Sequence, residues 1–471
     1  MSALKAPMNR AVSAFQLVTP VSSQAAQFVA SLDNASIPTE VVQKARTCIL
    51  YGFGIGLLCL KQETARVAEQ SVLAIDGKAG SRGSTSLAGG HPVSVSAAVF
   101  ANAIMLHSRC QEDTSGTAHL GVIVLSVALA LIEAELAQPG DLIPGIVAGY
   151  EVAGTLEAAL GRETMSFGLR ASPLYGAIAA AATTARMLRL PVERIDSALA
   201  NAAGFTGGTL QSVPEGSDEW RYQVGAAART GLLAAMLAQA GSVSAQQSIE
   251  GPQAFTLAYA RRALKPGELV FGAKWRLLDV TFKPYPVCAH NQTVTLIGAR
   301  IHQRVSPDQI ARIRLRISSY VVPGLLAPPP FSRVSETLMS SAFCCACACV
   351  YGTVSLSQLG NFDDAKTLAM MQCISVEPTD DLIYPESVAE IETTNGELIE
   401  ISEKRRFADF SFGRAEVIAQ LRRLVLEEGI PSAAVMLLDE AAFGPAPSWA
   451  AATVQAFDLA RNPNLFKEST L

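Results

Sequence analysis

The chain has 471 residues, more than one ordinary hydrophobic core accommodates, so two domains are expected. Nearly half of the residues (49%) are hydrophobic and 17% are charged, which excludes a disordered chain. The formal net charge of −5 comes without any long run of one sign, so neither nucleic acid nor an anionic membrane is an expected partner; an anionic small molecule is still compatible with a locally basic pocket.

Lys5 and Arg10 are followed by neither an apolar stretch nor a cleavage site. No signal peptide is expected, and the reducing cytoplasm is the expected compartment. From there to about residue 260 the chain reads as helix after helix, predicted over 22–32, 39–60 (with Pro38 just before it), 93–106, 121–136, 139–160, 175–188, 192–203 and 225–240. Many of these are rich in alanine and glycine, which lets helices approach closely. The longest apolar run, 120–137, carries Glu133 and Glu135 and is read as a buried helix, with no membrane span expected. Turns fall at Pro139-Gly140-Asp141, Leu190-Pro191, Gly207-Gly208 and Glu250-Gly251-Pro252.

Near residue 275 the texture changes. Residues 311–319 alternate polar and apolar, the strand period, and 389–402 form a predicted hairpin in which Asn395-Gly396 supplies two turn residues with positive φ. Helices are predicted between them over 335–358 and 363–372, and again after about 405. The expected organisation is a helical domain (1–273), a smaller α/β domain (274–404) and a helical tail (405–471) returning to the first, with a substrate pocket between the domains.

Four segments carry candidate chemistry. Residues 107–119 form a polar interruption between two apolar helices and hold two of the five histidines, His107 and His119, with Cys110, Glu112, Asp113 and Thr114. The cluster suits general acid–base work, or equally a cap and turn in which Asp113 or Ser115 starts the next helix. Arg170 opens an alanine-rich helix, where an anion is already favoured, or else is a surface arginine. Residues 215–225 read as a charged loop: Arg221 could clamp a carboxylate, with Trp220 as a packing anchor, or the loop is simply solvated. Lys283-Pro284-Tyr285-Pro286-Val287-Cys288-Ala289-His290 is a rigid extended loop, because both prolines lack an amide hydrogen and fix φ. It either holds a lysine against an anion or is a structural turn beside a surface lysine.

Nine cysteines at irregular spacing exclude a disulfide framework. The dense group Cys344, Cys345, Cys347 and Cys349 lacks the C-x₂-C pairs of a zinc site and reads as the face of a buried helix or as thiols reaching a pocket; no metal site is expected. The glycine-rich stretches match no nucleotide-binding pattern, and no G-x-S-x-G elbow is present.

Taken together, Asp113-Thr114 and Ala118-His119, the helix closing at Leu188-Arg189-Leu190, Gly225-Ala-Ala-Ala-Arg-Thr-Gly231, and Lys283-Pro-Tyr-Pro-Val-Cys288 resemble, in order and spacing, the MmgE/PrpD family. That resemblance implies a mainly α fold with an α+β insert, built as a large all-helical domain and a smaller α/β lid. It also implies a homodimer, no metal or organic cofactor, and an interdomain pocket for a small di- or tricarboxylate. The implied activity is that of a lyase or isomerase removing a proton next to a carboxylate, as in 2-methylcitrate dehydratase. The alternatives are an epimerase of an iminodisuccinate-like substrate and a carboxylate-binding member without catalysis.

The resemblance places the family's histidine on His119, its threonine on Thr114 and its loop lysine on Lys283, so the implied catalytic set is His119, Lys283, Thr114 and Asp113. An acidic position falls on Cys110, a histidine at Arg170, a lysine on Trp220 and a second histidine on Gln223, with Arg221 able to restore the lost charge. Arg170, Arg221, Tyr222, Gln223, Cys110, Cys288 and His290 form the expected substrate-binding set.

Overall fold

The computed structural model describes residues 19–79, 83–322 and 324–463; Lys5 and Arg10 lie outside the described residues. Among the described residues the first α-helices are α1 (Val21–Ser31), α2 (Thr39–Leu57), α3 (Glu63–Asp76), α4 (Val95–His107), α5 (Gly121–Glu133), α6 (Leu142–Ser166), α7 (Ala171–Met187), α8 (Val192–Phe205) and α9 (Glu219–Ala240). A two-stranded hairpin, β1 (Ser84–Ser86) with β2 (His91–Val93), interrupts the otherwise helical region.

The alanine and glycine content explains the tight packing. Helix α5, the long apolar run, is buried over nearly its whole length. On α9, Gly231 lies so close to α7 that an added Cβ would fall on the carbonyl of Ala177 and on Ala180. Gly231→Leu is therefore expected to lower the unfolding free energy by about 1–3 kcal/mol, read by urea titration. An unchanged midpoint would contradict this contact. Among the described residues, no helix is long and apolar enough to cross a membrane.

After the loop at 283–290 come α10 (Gln292–Arg304), β3 (Ile310–Ser318), α11 (Val334–Thr337), α12 (Ser341–Tyr351), α13 (Leu356–Leu359), α14 (Ala365–Gln372), β4 (Ile374–Thr379), β5 (Ser387–Thr393) and β6 (Leu398–Glu403). The strands order as β4-β3-β5-β6, with β3 parallel to β4 and antiparallel to β5. Ile313 and Leu315 point into the core beneath the sheet. Arg312, Arg314 and Arg316 alternate with them and pair with Glu377, Glu390 and Glu392 on the outer face. The predicted helix 335–358 is broken into α11, α12 and α13 by short turns. The hairpin turn is one residue longer than predicted: the Gly396 amide donates to Thr393 O, Thr393 pairs with Glu397, and Gly396 alone is left-handed (φ 86°). A three-residue loop of this kind needs only one left-handed position, and glycine fills it.

The last α-helices among the described residues are α15 (Arg414–Glu427), α16 (Ser432–Phe443) and α17 (Trp449–Arg461). They pack on α2, where Trp449 and Phe457 meet Phe53 edge-on at 5.9 and 6.2 Å. One hydrophobic core thus joins α1–α9 with α15–α17, and a second gathers Val287 through Ile401 together with Cys110 and Trp220 from the helical part. The segment 107–119 and the loop 283–290 lie where the two cores meet.

Candidate active site

The polar interruption after α4 cannot continue as helix and turns at Cys110, a left-handed residue (φ 57°). Thr114 then pairs with Thr281 through both backbone hydrogen bonds, at 2.9 and 3.0 Å. This bridge carries the chain straight into Lys283. The Tyr51 hydroxyl of α2 accepts the Lys283 amide at 2.9 Å and lies against the Lys283 carbonyl, while the Gln111 side chain donates to Pro284 O at 2.9 Å. The Lys-Pro-Tyr-Pro loop is thereby fixed against the segment that holds the histidines.

Glu112 is the hub of the site. Its carboxylate is fully buried, with Oε1 at 2.9 Å from Lys283 Nζ and 3.1 Å from His119 Nδ1, and Oε2 at 3.3 Å from His107 Nδ1. Burial alone would raise its pKa. Lys283, His107 and His119 outweigh burial and hold the carboxyl well below the usual range. Burial likewise opposes the Lys283 ammonium, yet with Cys110 and Glu112 beside it the lysine stands at about 12. Lys283 donates to Cys110 O at 3.0 Å and to Glu112 at 2.9 Å, while among the described residues its third hydrogen meets only the Cys110 thiol at 3.9 Å, a weak contact that a ligand oxygen can displace.

The histidine protonation states follow from their neighbours. His107 Nε2 lies 2.7 Å from an Arg170 guanidinium nitrogen, which can only donate, so Nε2 accepts and the proton sits on Nδ1, facing Glu112. Burial presses the His107 pKa down to about 4, which keeps the ring neutral. His119 Nδ1 faces two acceptors, the Asp113 carbonyl at 3.0 Å and Glu112, so it too carries the proton on Nδ1. Its amide donates to Ser172 Oγ at 3.1 Å. The His119 Nε2 lone pair has no partner among the described residues, and burial followed by the Lys283 charge lowers its pKa well below the ordinary histidine value. At neutral pH His119 is a base.

These groups face an interdomain cavity of about 140 Å³. That is below the roughly 300–1,000 Å³ of sites for drug-sized ligands, and suits a small metabolite. Cys110, Thr114, His119, Arg170, Lys283, Cys288 and His290 all line it, so seven of the residues singled out in the sequence meet here. The Thr114 hydroxyl is buried without a partner, as is His290 Nε2, while His290 Nδ1 meets the Tyr384 hydroxyl at 3.1 Å. Burial holds the Cys110 thiol neutral by pushing its pKa up to about 12. Helix α7 begins at the cavity wall with Ala171, and its N-terminus favours an anion there.

The remaining four residues lie outside the wall. Asp113 reaches His119 with its backbone carbonyl, while its carboxylate accepts from Tyr150 and from the Gly121 amide, and burial pushes it up to about 6. The charged loop read over 215–225 is helical from Glu219, which turns Arg221 towards Ser335 (2.7 Å), Ser108 O (3.1 Å) and Asp218, where it stacks on Trp220. Gln223 donates to Thr209 O, and Tyr222 packs against the helical core. Two groups gain a part that the sequence did not assign, Glu112 as hub and His107 as its link to Arg170; Tyr384 joins the wall without any sequence signal. A second cavity of about 640 Å³ adjoins the first across Thr114, Gly116, Thr117 and Tyr384, and Glu157 lines it.

Cys344, Cys345, Cys347 and Cys349 are buried on α12, where residues 343–349 are buried on every side, and none lines the cavity, so the group belongs to a core helix. No cluster of three or more metal-ligating side chains occurs among the described residues. These four thiols are expected to react with an aromatic disulfide only after unfolding; rapid native labelling at α12 would contradict their burial.

Residues 23–265 match the MmgE/PrpD N-terminal domain, and residues 285–425 match the MmgE/PrpD C-terminal domain. A cis-aconitate decarboxylase-like protein, oryM, of Aspergillus oryzae is 25% identical over 366 residues, 72% of this chain and 75% of its own. Cis-aconitate decarboxylase of Aspergillus terreus is 25% identical over 371 residues, 73% of this chain and 74% of its own. Cis-aconitate decarboxylase of Homo sapiens is 28% identical over 297 residues, 59% of this chain and 60% of its own.

Proposed function

The chain belongs to the MmgE/PrpD family, and from that premise we propose that it is a cofactor-independent lyase that removes a proton next to the carboxylate of a small carboxylic acid. The observation that carries this reading is the His119 Nε2 lone pair, unpartnered among the described residues and opening on a cavity that Arg170 and Lys283 also line. In this reading Arg170, the third Lys283 hydrogen and the Thr114 hydroxyl hold the carboxylate. His119 takes the α-proton, and the two cations stabilise the charge that develops on the carboxylate oxygens. The electrons of the broken C–H bond form a C=C bond, the bond to a β-hydroxyl breaks, and the proton on His119 leaves with that hydroxyl as water.

The resting protonation states favour elimination over the alternatives. Decarboxylation requires an acid to protonate carbon; His119 holds its proton on Nδ1, facing Asp113 O and Glu112, which leaves the Lys283 ammonium, at about 12 a weak donor. A two-base epimerisation requires a second proton-transfer group near neutrality, whereas the Cys110 thiol stands at about 12 and burial presses His290 down to about 3. Appearance of an ultraviolet-absorbing alkene from a 3-hydroxycarboxylate supports the reading. Carbon dioxide release, or α-proton exchange without alkene, would replace it.

The lowered His119 pKa gives a pH dependence with a definite sign. The base form persists as pH falls through 6.5, the ordinary histidine value, so kcat/KM is expected to stay level there and to drop only in more acid buffer. A half-drop at or above that value would contradict the buried site. Lys283, at about 12, sets no alkaline limb in the usual assay range.

A further inference from the structure

Resting on that reading of the carboxylate site, we infer that the cavity is built for one carboxylate on an otherwise apolar body, so that the substrate is a 3-hydroxymonocarboxylate rather than the di- or tricarboxylate that the resemblance implies.

The argument is a balance of buried charge. Lys283 is matched by Glu112 at 2.9 Å, and Arg221 by Asp218. His107 and His119 are neutral: the His119 Nδ1 proton is directed at the Asp113 carbonyl, and His107 Nδ1 lies 3.3 Å from Glu112. Arg170 has no carboxylate partner among the described residues: its hydrogen bonds go to Trp220 O at 2.6 Å, His107 Nε2 at 2.7 Å and Gln223 at 3.5 Å. The site therefore holds one uncompensated positive charge. Asp113 faces Tyr150, away from the cavity, and including it would lower this sum. A second or third carboxylate would enter the cavity unpaired, and burying an unpaired carboxylate costs several kcal/mol.

The rest of the wall agrees. Met165, Leu210, Val213, Val322, Leu338 and Met339 also line the cavity. Trp220 adds an indole that is T-stacked on His107 at 4.8 Å. Towards Gly116 and Thr117, where a longer acid could extend, the adjoining cavity is lined by two carboxylates and one cation: Glu157, which accepts from Thr117 at 2.8 and 2.7 Å, and Asp279, 3.9 Å from Arg276. Among the described residues, the cavity thus offers one unpaired cation and a largely apolar lining, and the one cation at its exit, Arg276, already faces Asp279.

Isothermal titration of the full chain with 4-methylpentanoate, its amide, methylsuccinate and tricarballylate tests this. The expected result is that 4-methylpentanoate binds at least tenfold more tightly than methylsuccinate, and that tricarballylate is the weakest acid. Leu210→Lys, which adds a cation to the apolar wall, is expected to reverse the order of the first and third probes; Val213→Lys serves as a second variant should the first not fold. Tighter binding of methylsuccinate or tricarballylate to the unaltered chain overturns the inference and leaves the carboxylate site standing. Equal binding of the amide and the acid, or no binding of any acid, overturns the carboxylate site and the inference together.

Discussion

Replacing His119 by asparagine is expected to lower kcat by about 10²–10⁴-fold, the loss typical of a general base, with KM little changed. The asparagine amide can still donate to the Asp113 carbonyl, which His119 Nδ1 meets at 3.0 Å, so the backbone of the site keeps its anchor. What disappears is the basic lone pair. In the proposed site Arg170, Lys283 and Thr114 would still hold the carboxylate, so substrate affinity should survive while the proton transfer does not. Steady-state kinetics on the enzyme's substrate, with circular dichroism to establish folding, separate the two. Full activity of a folded His119→Asn enzyme would assign the base elsewhere.

Glu112→Ala is expected to be the most destabilising single change in the site, by about 3–5 kcal/mol, because it strands the buried Lys283 ammonium. That is a large part of the about 5–15 kcal/mol by which proteins are usually stable. The pH dependence distinguishes this cause from a packing defect. In the unaltered chain Lys283 is raised from 10.5 to about 12, so its stabilising contribution is complete below pH 10.5 and lost only as pH rises through 12. Without Glu112, burial depresses the lysine's pKa in the folded state below its unfolded value. The folded variant then binds fewer protons than its unfolded chain, and its stability should rise between about pH 7 and 10 while the unaltered protein's Lys283 contribution stays level. Denaturant titrations at several pH values read this directly. Parallel curves for the two proteins would mean that Glu112 does not hold a charged lysine.

The helices legible in the sequence were those whose apolar content exceeds what a surface segment carries, such as α5, α6 and α7. Helix α3 was not among them, since Glu63, Arg66, Glu69 and Asp76 dilute its apolar face. Strand β4 was hidden by Pro378, which argues against a central strand; β4 lies at the sheet edge, where a missing amide is tolerated. Helix α9 begins six residues before the predicted start at Gly225 because Trp220 and Arg221 turn inward at its first turn, and charge patterning alone makes those residues look solvated. At the site, the lysine loop and His119 could be singled out from local pattern and resemblance. The place of Glu112 could not, because a carboxylate in a polar turn reads as a helix cap until the chain brings Lys283, 171 residues away, to 2.9 Å.

The central claim is that a neutral His119, set beside Arg170 and a Glu112-paired Lys283, removes a proton from the carbon next to a bound carboxylate. The most direct test is proton NMR in D₂O of the unaltered and His119→Asn proteins, each incubated with a panel of 3-hydroxylated mono-, di- and tricarboxylates. Loss of the α-proton signal together with growth of an alkene signal is expected for at least one acid, both absent with His119→Asn. Binding of acids without any change in their spectra, or the same turnover by the folded His119→Asn protein, would contradict it.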